Sequence, residues 1–179
     1  MLEQAGVEFI AEPADIDEEA VKLRHDSAKE VATALAQAKA LEISRRRPDA
    51  LVIGSDSVVN VHGRRFSKPR DRDEAADHLR AFSGKAMVLT SAVALARGGA
   101  AEWRFCDEAR LGVRQLSDAF IQTYLDAEWP DVGYCVGVFR LEGRGVQLFD
   151  SIEGSFFTIL GMPLLPLLAE LRLRGELAS

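Results

Sequence analysis

The chain predicts an α/β fold: a sheet flanked by helices. Three observations carry that reading. Helical and extended segments alternate through the first half of the chain. Short apolar runs rich in β-branched residues have the length of strands, and Gly- or Pro-containing turns punctuate them. In the second half, extended segments follow one another without a long helix between them, so the sheet is expected to be mixed.

The elements follow in order. Leu2 to Ala5 reads as the end of a helix closed by Gly6, and Val7-Glu8-Phe9-Ile10 as a short extended segment. Pro13 to Glu19 is acidic and reads as a solvated loop. A long helix is expected over residues 28–47, with Val31, Leu35, Ala38, Leu41 and Ile43 at approximate helical spacing and Pro48-Asp49 ending it. Leu51-Val52-Ile53 has the continuous apolar character of a strand buried on both faces, with Asp56 just past its end. Val58 to Val61 continues extended to a His62-Gly63 turn. A second helix is expected over 73–82, placing Ala75, Ala76, Leu79 and Phe82 on one side, with Ser83-Gly84 as its stop. Residues 87–96 and 102–116 read as strands joined by Gly98-Gly99. In the second of these, Ala109, Leu111 and Val113 alternate with Arg110, Gly112 and Arg114, the period of a strand with one wet face. Ser117-Asp118 caps a helix to about Ala127. A glycine-punctuated hairpin region is expected from Gly133 to Phe149, and a last helix over 164–174 behind Pro163.

Composition narrows the function classes. The 179 residues are 47% apolar and 28% charged, enough to bury a core in one domain or two closely packed lobes. The net charge of −6 disfavours nonspecific binding to a nucleic acid polymer, which rests on many cation–phosphate contacts. A few focused cations can still hold a small anionic substrate. Cys106 and Cys135 lack CxxC spacing and read as reduced thiols of a cytoplasmic protein. No apolar run is long enough to span a bilayer, and the first residues lack the basic and apolar parts of a signal peptide.

Several residues are candidates for chemistry, each with a plainer alternative. Asp56, past a buried strand, can hold Mg²⁺ or orient a water, or can be a turn aspartate. Lys68, in the stiff Ser67-Lys68-Pro69 loop, can face a phosphate or simply be exposed. Lys39 sits among Ala38, Ala40 and Leu41, where it can reach inward or snorkel to water. The Asp15 to Glu19 run can supply a metal ligand. Glu142, between Leu141 and Gly143, can accept hydrogen bonds from a base edge or be an ordinary turn glutamate. Phe156-Phe157 can stack on a base, with core packing expected for at least one of them.

Taken in order, these stretches resemble one family. Gln37-Ala38-Lys39-Ala40, Ile53-Gly54-Ser55-Asp56-Ser57-Val58-Val59, Gly63 through Lys68-Pro69, Phe82-Ser83-Gly84-Lys85, Glu142-Gly143-Arg144-Gly145, Ile152-Glu153-Gly154-Ser155-Phe156-Phe157 and Leu160-Gly161-Met162-Pro163-Leu164 resemble the Maf family of nucleoside triphosphate pyrophosphatases. The resemblance covers nearly the whole chain. It implies a Maf- and ITPase-like elongated mixed sheet flanked by helices, with two lobes and a central cleft. It also implies house-cleaning hydrolysis of a nucleoside triphosphate between the α and β phosphates, with a divalent cation, Mg²⁺ or Mn²⁺, as cofactor. By position, Asp56 matches the catalytic aspartate and a metal ligand. Lys39 and Lys68 match the phosphate-facing lysines, and the acidic metal position falls on Asp17 or Glu18, with Glu18 taken as the ligand. Ser57 and Glu142 match substrate-binding positions.

Three departures bear on this. Family members usually open with an apolar strand and a Ser-Pro-Arg-Arg-like loop, so the single domain over 1–179 is expected to lack that strand and phosphate loop. Ser57 stands where the family usually has threonine. Phe139-Arg140-Leu141-Glu142-Gly143 replaces Tyr-Gly-Ile-Gln-Gly, and its glutamate resembles the 7-methyl-GTP subgroup, whereas Ser57 does not match that subgroup's glutamine. Two other readings stand beside the enzyme: a nucleotide-binding regulator linked to septum formation, and a structural homologue acting as a homodimer.

Overall fold

The computed structural model describes residues 1–178. Its order is α1 (Glu18–Lys22), α2 (Ala28–Arg46), β1 (Val52–Val61), β2 (Arg64–Phe66), α3 (Arg72–Phe82), β3 (Ala86–Arg97), β4 (Ala100–Val113), α4 (Asp118–Glu128), β5 (Phe149–Glu153), α5 (Phe156–Ile159) and α6 (Leu164–Leu173). The strands form one sheet in the order β2-β1-β3-β4-β5. β1 pairs antiparallel with β2, and β4 with β5. This is the α/β architecture of helices around a sheet that the alternation predicted.

The chain divides into two compact units. One comprises residues 1–57, 90–107 and 155–179, the other 58–89 and 108–154. In the first, Val93, Leu95, Leu167 and Leu171 form a buried cluster covered by Ile53, Trp103 and Met162. In the second, Phe66 packs edge-on against both His78 and Phe82, and Phe139 against Phe149. Burying each large aliphatic or aromatic side chain contributes roughly 1.5–3 kcal/mol.

Helix boundaries follow their caps. Ser27 and Glu30 form a reciprocal capping box at α2. Asp71 accepts from Glu74 N–H at α3, and Ser117 from Phe120 N–H at α4. The inward face of α2 differs from the expected stripe. Val31, Leu35 and Ile43 are buried as expected, but Ala32, Ala36 and Ala40 are buried in preference to Ala38 and Leu41. These alanines leave room for a close neighbour, which proves to be β1.

Four sequence expectations are corrected. β1 does not stop before Asp56 but continues to Val61, because Ser55 and Ser57 find hydrogen-bond partners within the sheet region and need no turn. Residues 133–149 form no hairpin. Gly143 donates to the Arg140 carbonyl, and Gly145 lies so near that a Cβ there would come within 2.4 Å of the same oxygen. The glycines therefore fold the segment onto itself, with 3₁₀ turns at Asp131–Tyr134 and Arg144–Leu148. The acidic loop contains α1, capped by Asp17, whose side chain accepts from Ala20 N–H. Residues 7–10 form no strand, and Phe9 and Ile10 are exposed.

Candidate functional site

Gly54 is where the site begins. A Cβ at this position would lie 2.2 Å from the Ala36 carbonyl oxygen and 2.7 Å from Ala40 N. Only glycine lets β1 come this close to α2. That approach brings Lys39 on the helix against Asp56 on the strand. Lys39 Nζ donates to Asp56 Oδ1 at 2.6 Å and lies 2.8 Å from Glu18 Oε1. Lys22 Nζ is 3.6 Å from Glu18 and 2.7 Å from Glu19. Two carboxylates from separate elements thus bracket one ammonium.

Asp56 is nearly buried, with its side chain 13% exposed. Burial holds its carboxyl above the usual aspartate value, against the pull of the Lys39 hydrogen bond and charge, while the charge of Glu18 adds to the rise. For Lys39, burial acts downward, but the hydrogen bonds to Asp56 and Glu18 outweigh it and hold the ammonium above its ordinary value. The two carboxylates thus favour the charged form of the lysine.

Side chains alternate along a strand, so Ser55 and Ser57 face away from Asp56. Ser55 Oγ donates to the carbonyls of Ala92 and Gly161, both at 2.9 Å. Ser57 Oγ lies 2.7 Å from Ser91 Oγ and 3.2 Å from the Gly161 carbonyl. Ser91 donates to the Thr158 carbonyl at 2.8 Å, and Thr158 Oγ1 to Asp107 at 2.6 Å. Gly161 supports this through a positive φ of 105° between α5 and α6. A chain of hydroxyls thus anchors the strand that carries Asp56. Sequence reading missed Ser55, Ser91, Thr158 and Asp107. A signal was present: Thr90-Ser91 interrupts an apolar strand, where buried hydroxyls must find partners.

The structure therefore brings together Lys39, Asp56 and Glu18, and turns Ser57 to the opposite face of β1. Of the two acidic alternatives, Asp17 caps α1 while Glu18 reaches Lys39. Lys68 and Glu142 belong to the other unit and are exposed. Both lie within electrostatic reach of the half-buried Cys135. Burial pushes its thiol up, the Glu142 charge pushes further, and Arg140 and Lys68 pull it back. Phe156 is exposed and Phe157 half-buried, so neither is a fully enclosed core residue.

Asp56 and Glu18 carry oxygen donors of the type a divalent cation takes. The Lys39 ammonium already marks a cationic position between two carboxylates, and Mg²⁺ commonly takes one or two carboxylates with substrate phosphates completing its shell. Among the described residues there is no cluster of three or more His, Cys, Asp or Glu that would make an all-protein metal cage.

An ammonium held by two carboxylates is a preorganised charge of the kind that can act on a phosphate. In comparison with known proteins, residues 1–174 match the Maf-like protein family, and the chain belongs to it. It is 47% identical over 181 residues to a 7-methyl-GTP pyrophosphatase of Rhizobium etli, covering 99% of this chain and 91% of that one. It is 44% identical over 180 residues to a nucleoside triphosphate pyrophosphatase of Sphingopyxis alaskensis, covering 98% and 91%. A nucleoside triphosphate pyrophosphatase of Granulibacter bethesdensis is 47% identical over 176 residues, covering 96% and 89%.

Proposed function

We propose that the chain is a nucleoside triphosphate pyrophosphatase that hydrolyses its substrate to a monophosphate and pyrophosphate. The observation that carries this is the Lys39 ammonium held between Asp56 and Glu18 in a Maf-family chain. Asp56 and Glu18 are the oxygens that would hold a divalent cation, with Mg²⁺ or Mn²⁺ the natural choices. When bound, such an ion neutralises charge on the phosphates and on the departing pyrophosphate. Lys39 donates to phosphate oxygens, and its hydrogen bond and charge favour the ionised form of Asp56 against the rise that burial causes. Asp56 is in addition the group able to take the proton of the attacking water as the phosphorus–oxygen bond to pyrophosphate breaks. Lys68 supplies a second ammonium for the phosphate chain. Ser57 acts on substrate through the strand it anchors.

Glu142 reads the base. A carboxylate accepts from both the N1–H and N2–H₂ of a guanine edge, whereas uracil and thymine offer it a single N3–H flanked by carbonyls that repel it. A purine triphosphate is therefore the preferred class, and 7-methyl-GTP is its leading candidate, in line with the name of the Rhizobium etli relative. We place this house-cleaning activity in the cytoplasm, a reducing compartment that suits two cysteines without CxxC spacing.

The test is pyrophosphate release from a nucleotide panel that includes 7-methyl-GTP, GTP, dTTP and UTP, with Mg²⁺ or Mn²⁺. Turnover is expected to be highest for 7-methyl-GTP. Asp56→Asn is expected to reduce it by at least about 100-fold while the thermal melt shows a folded protein. Release from no nucleotide, or an undiminished Asp56→Asn enzyme, would defeat the proposal.

A further inference from the structure

Val138 has φ +56°, a backbone region that a β-branched residue rarely enters. Such strain persists only where the surroundings over-determine it, and it collects where a fold must hold a group in one place. The surroundings here are unusually complete. The Val138 side chain is fully buried. Its carbonyl accepts from Tyr124 Oη at 3.0 Å, from the buried face of α4, and its N–H donates to the Cys135 carbonyl at 3.0 Å.

Two residues on, Arg140 is gripped from two sides. Its Nη2 donates to Glu128 Oε2 at 3.1 Å, and its Nη1 lies 3.0 Å from Asp131 Oδ2. Glu128 is buried in the last turn of α4, where a carboxylate opposes the helix dipole and is tolerable only when paired. The Arg140 carbonyl in turn closes the following turn by accepting from Gly143 N–H at 3.2 Å, and Leu141 is buried beneath it. At the tip stands Glu142, exposed and without a hydrogen bond or ion pair among the described residues. Arg140 is thus kept from its near neighbour. A loose guanidinium two residues away would pair with Glu142 and occupy the acceptor.

We propose that the Val138 corner and the Arg140 clamp are a lock that presents Glu142 as a free carboxylate for the base of the nucleotide. Tyr124, Glu128 and Arg140 are then positioning residues for base selectivity and do not themselves touch the base. This rests on the reading of Glu142 as the base-reading residue.

Affinities for 7-methyl-GMP and UMP test it, measured by isothermal titration calorimetry on the full chain. These monophosphates require no turnover. Glu142→Gln, Tyr124→Phe and Arg140→Lys are compared with the unaltered chain, and thermal melts establish that each is folded. Tyr124→Phe removes a single oxygen, so it preserves the packing around it. The lock predicts that both positioning variants lower the ratio of 7-methyl-GMP to UMP affinity about tenfold, as Glu142→Gln does, with UMP binding nearly constant. The lock is overturned if folded Tyr124→Phe and Arg140→Lys keep the ratio while Glu142→Gln loses it, or if they weaken both nucleotides equally. An unaltered chain without preference, or a Glu142→Gln chain that keeps its preference, removes the base reading and the lock with it.

Discussion

Lys39 shows how one residue type changes meaning with its surroundings. On an alanine-rich helix it could have reached water, yet it lies 2.6 Å from Asp56. Removing it leaves two carboxylates that both faced its ammonium, with Lys22 on α1 3.6 Å from Glu18. Lys39→Met is therefore expected to cut kcat/KM for the best triphosphate at least about 100-fold, as loss of a preorganised charge at a phosphate does; steady-state pyrophosphate release measures it. His78 makes a separate prediction. It is buried against Phe66 and Phe82, its Nδ1 has no hydrogen-bond partner among the described residues, and the charges facing it are Glu74, Arg64 and Asp77. Burial holds its pKa below the ordinary histidine value of about 6.5. Below that value the unfolded chain binds a proton that the folded one resists, so the contribution of His78 to stability is lost as pH falls from there toward the folded pKa. Urea midpoints followed downward from neutral pH are expected to fall, and His78→Phe is expected to flatten that slope.

The junction of β1 with α2 is the element on which the site depends. Gly54→Ala forces a Cβ into the Ala36 carbonyl and Ala40 N–H of the helix backbone, neither of which can rotate away. The expected loss is at least 1–3 kcal/mol, roughly the cost of overpacking, read from denaturant unfolding. Activity is expected to fall further than stability, because the same displacement separates Lys39 from Asp56. On the other face of β1, Ser91→Ala leaves the Thr158 carbonyl and the Ser57 hydroxyl without their shared partner. Ser57 keeps the Gly161 carbonyl and the Thr158 carbonyl keeps the Gly161 N–H, so the loss is that of the hydrogen bonds alone, about 0.5–1.5 kcal/mol each, and a modestly lower unfolding midpoint is expected. Ser91→Thr keeps the hydroxyl and should restore part of the loss.

For the whole molecule, metal and fold are expected to be separable. The described residues hold no cluster of three or more metal-ligating side chains, so a cation at Asp56 and Glu18 would be held partly by substrate. Chelation with EDTA is expected to abolish pyrophosphate release while leaving the circular dichroism spectrum and melting temperature nearly unchanged, and Mg²⁺ or Mn²⁺ should restore turnover. A large fall in melting temperature on chelation would mean a structural ion instead. No helix among the described residues is long and apolar enough to cross a membrane.

Much of this was legible in order along the chain. Ser117 caps α4 where local chemistry places it, because a cap needs only an amide of its own first turn. The alternation of Ala109, Leu111 and Val113 marks the buried face of β4 for the same local reason. The motif around Asp56 was equally readable as a family likeness. Local signals could not say that Asp56 lies within a strand, because its continuation depends on Ser55 and Ser57 bonding to Ala92, Ser91 and Gly161, far away in sequence. Nor could they show that Gly133 to Phe149 closes on itself, since glycine permits a turn without choosing its partner. The sequence by itself determined which side chains are available to bind phosphate and metal. Only the tertiary structure decided that Lys39 stands between Asp56 and Glu18, because a glycine on the strand and two alanines on the helix let the two touch.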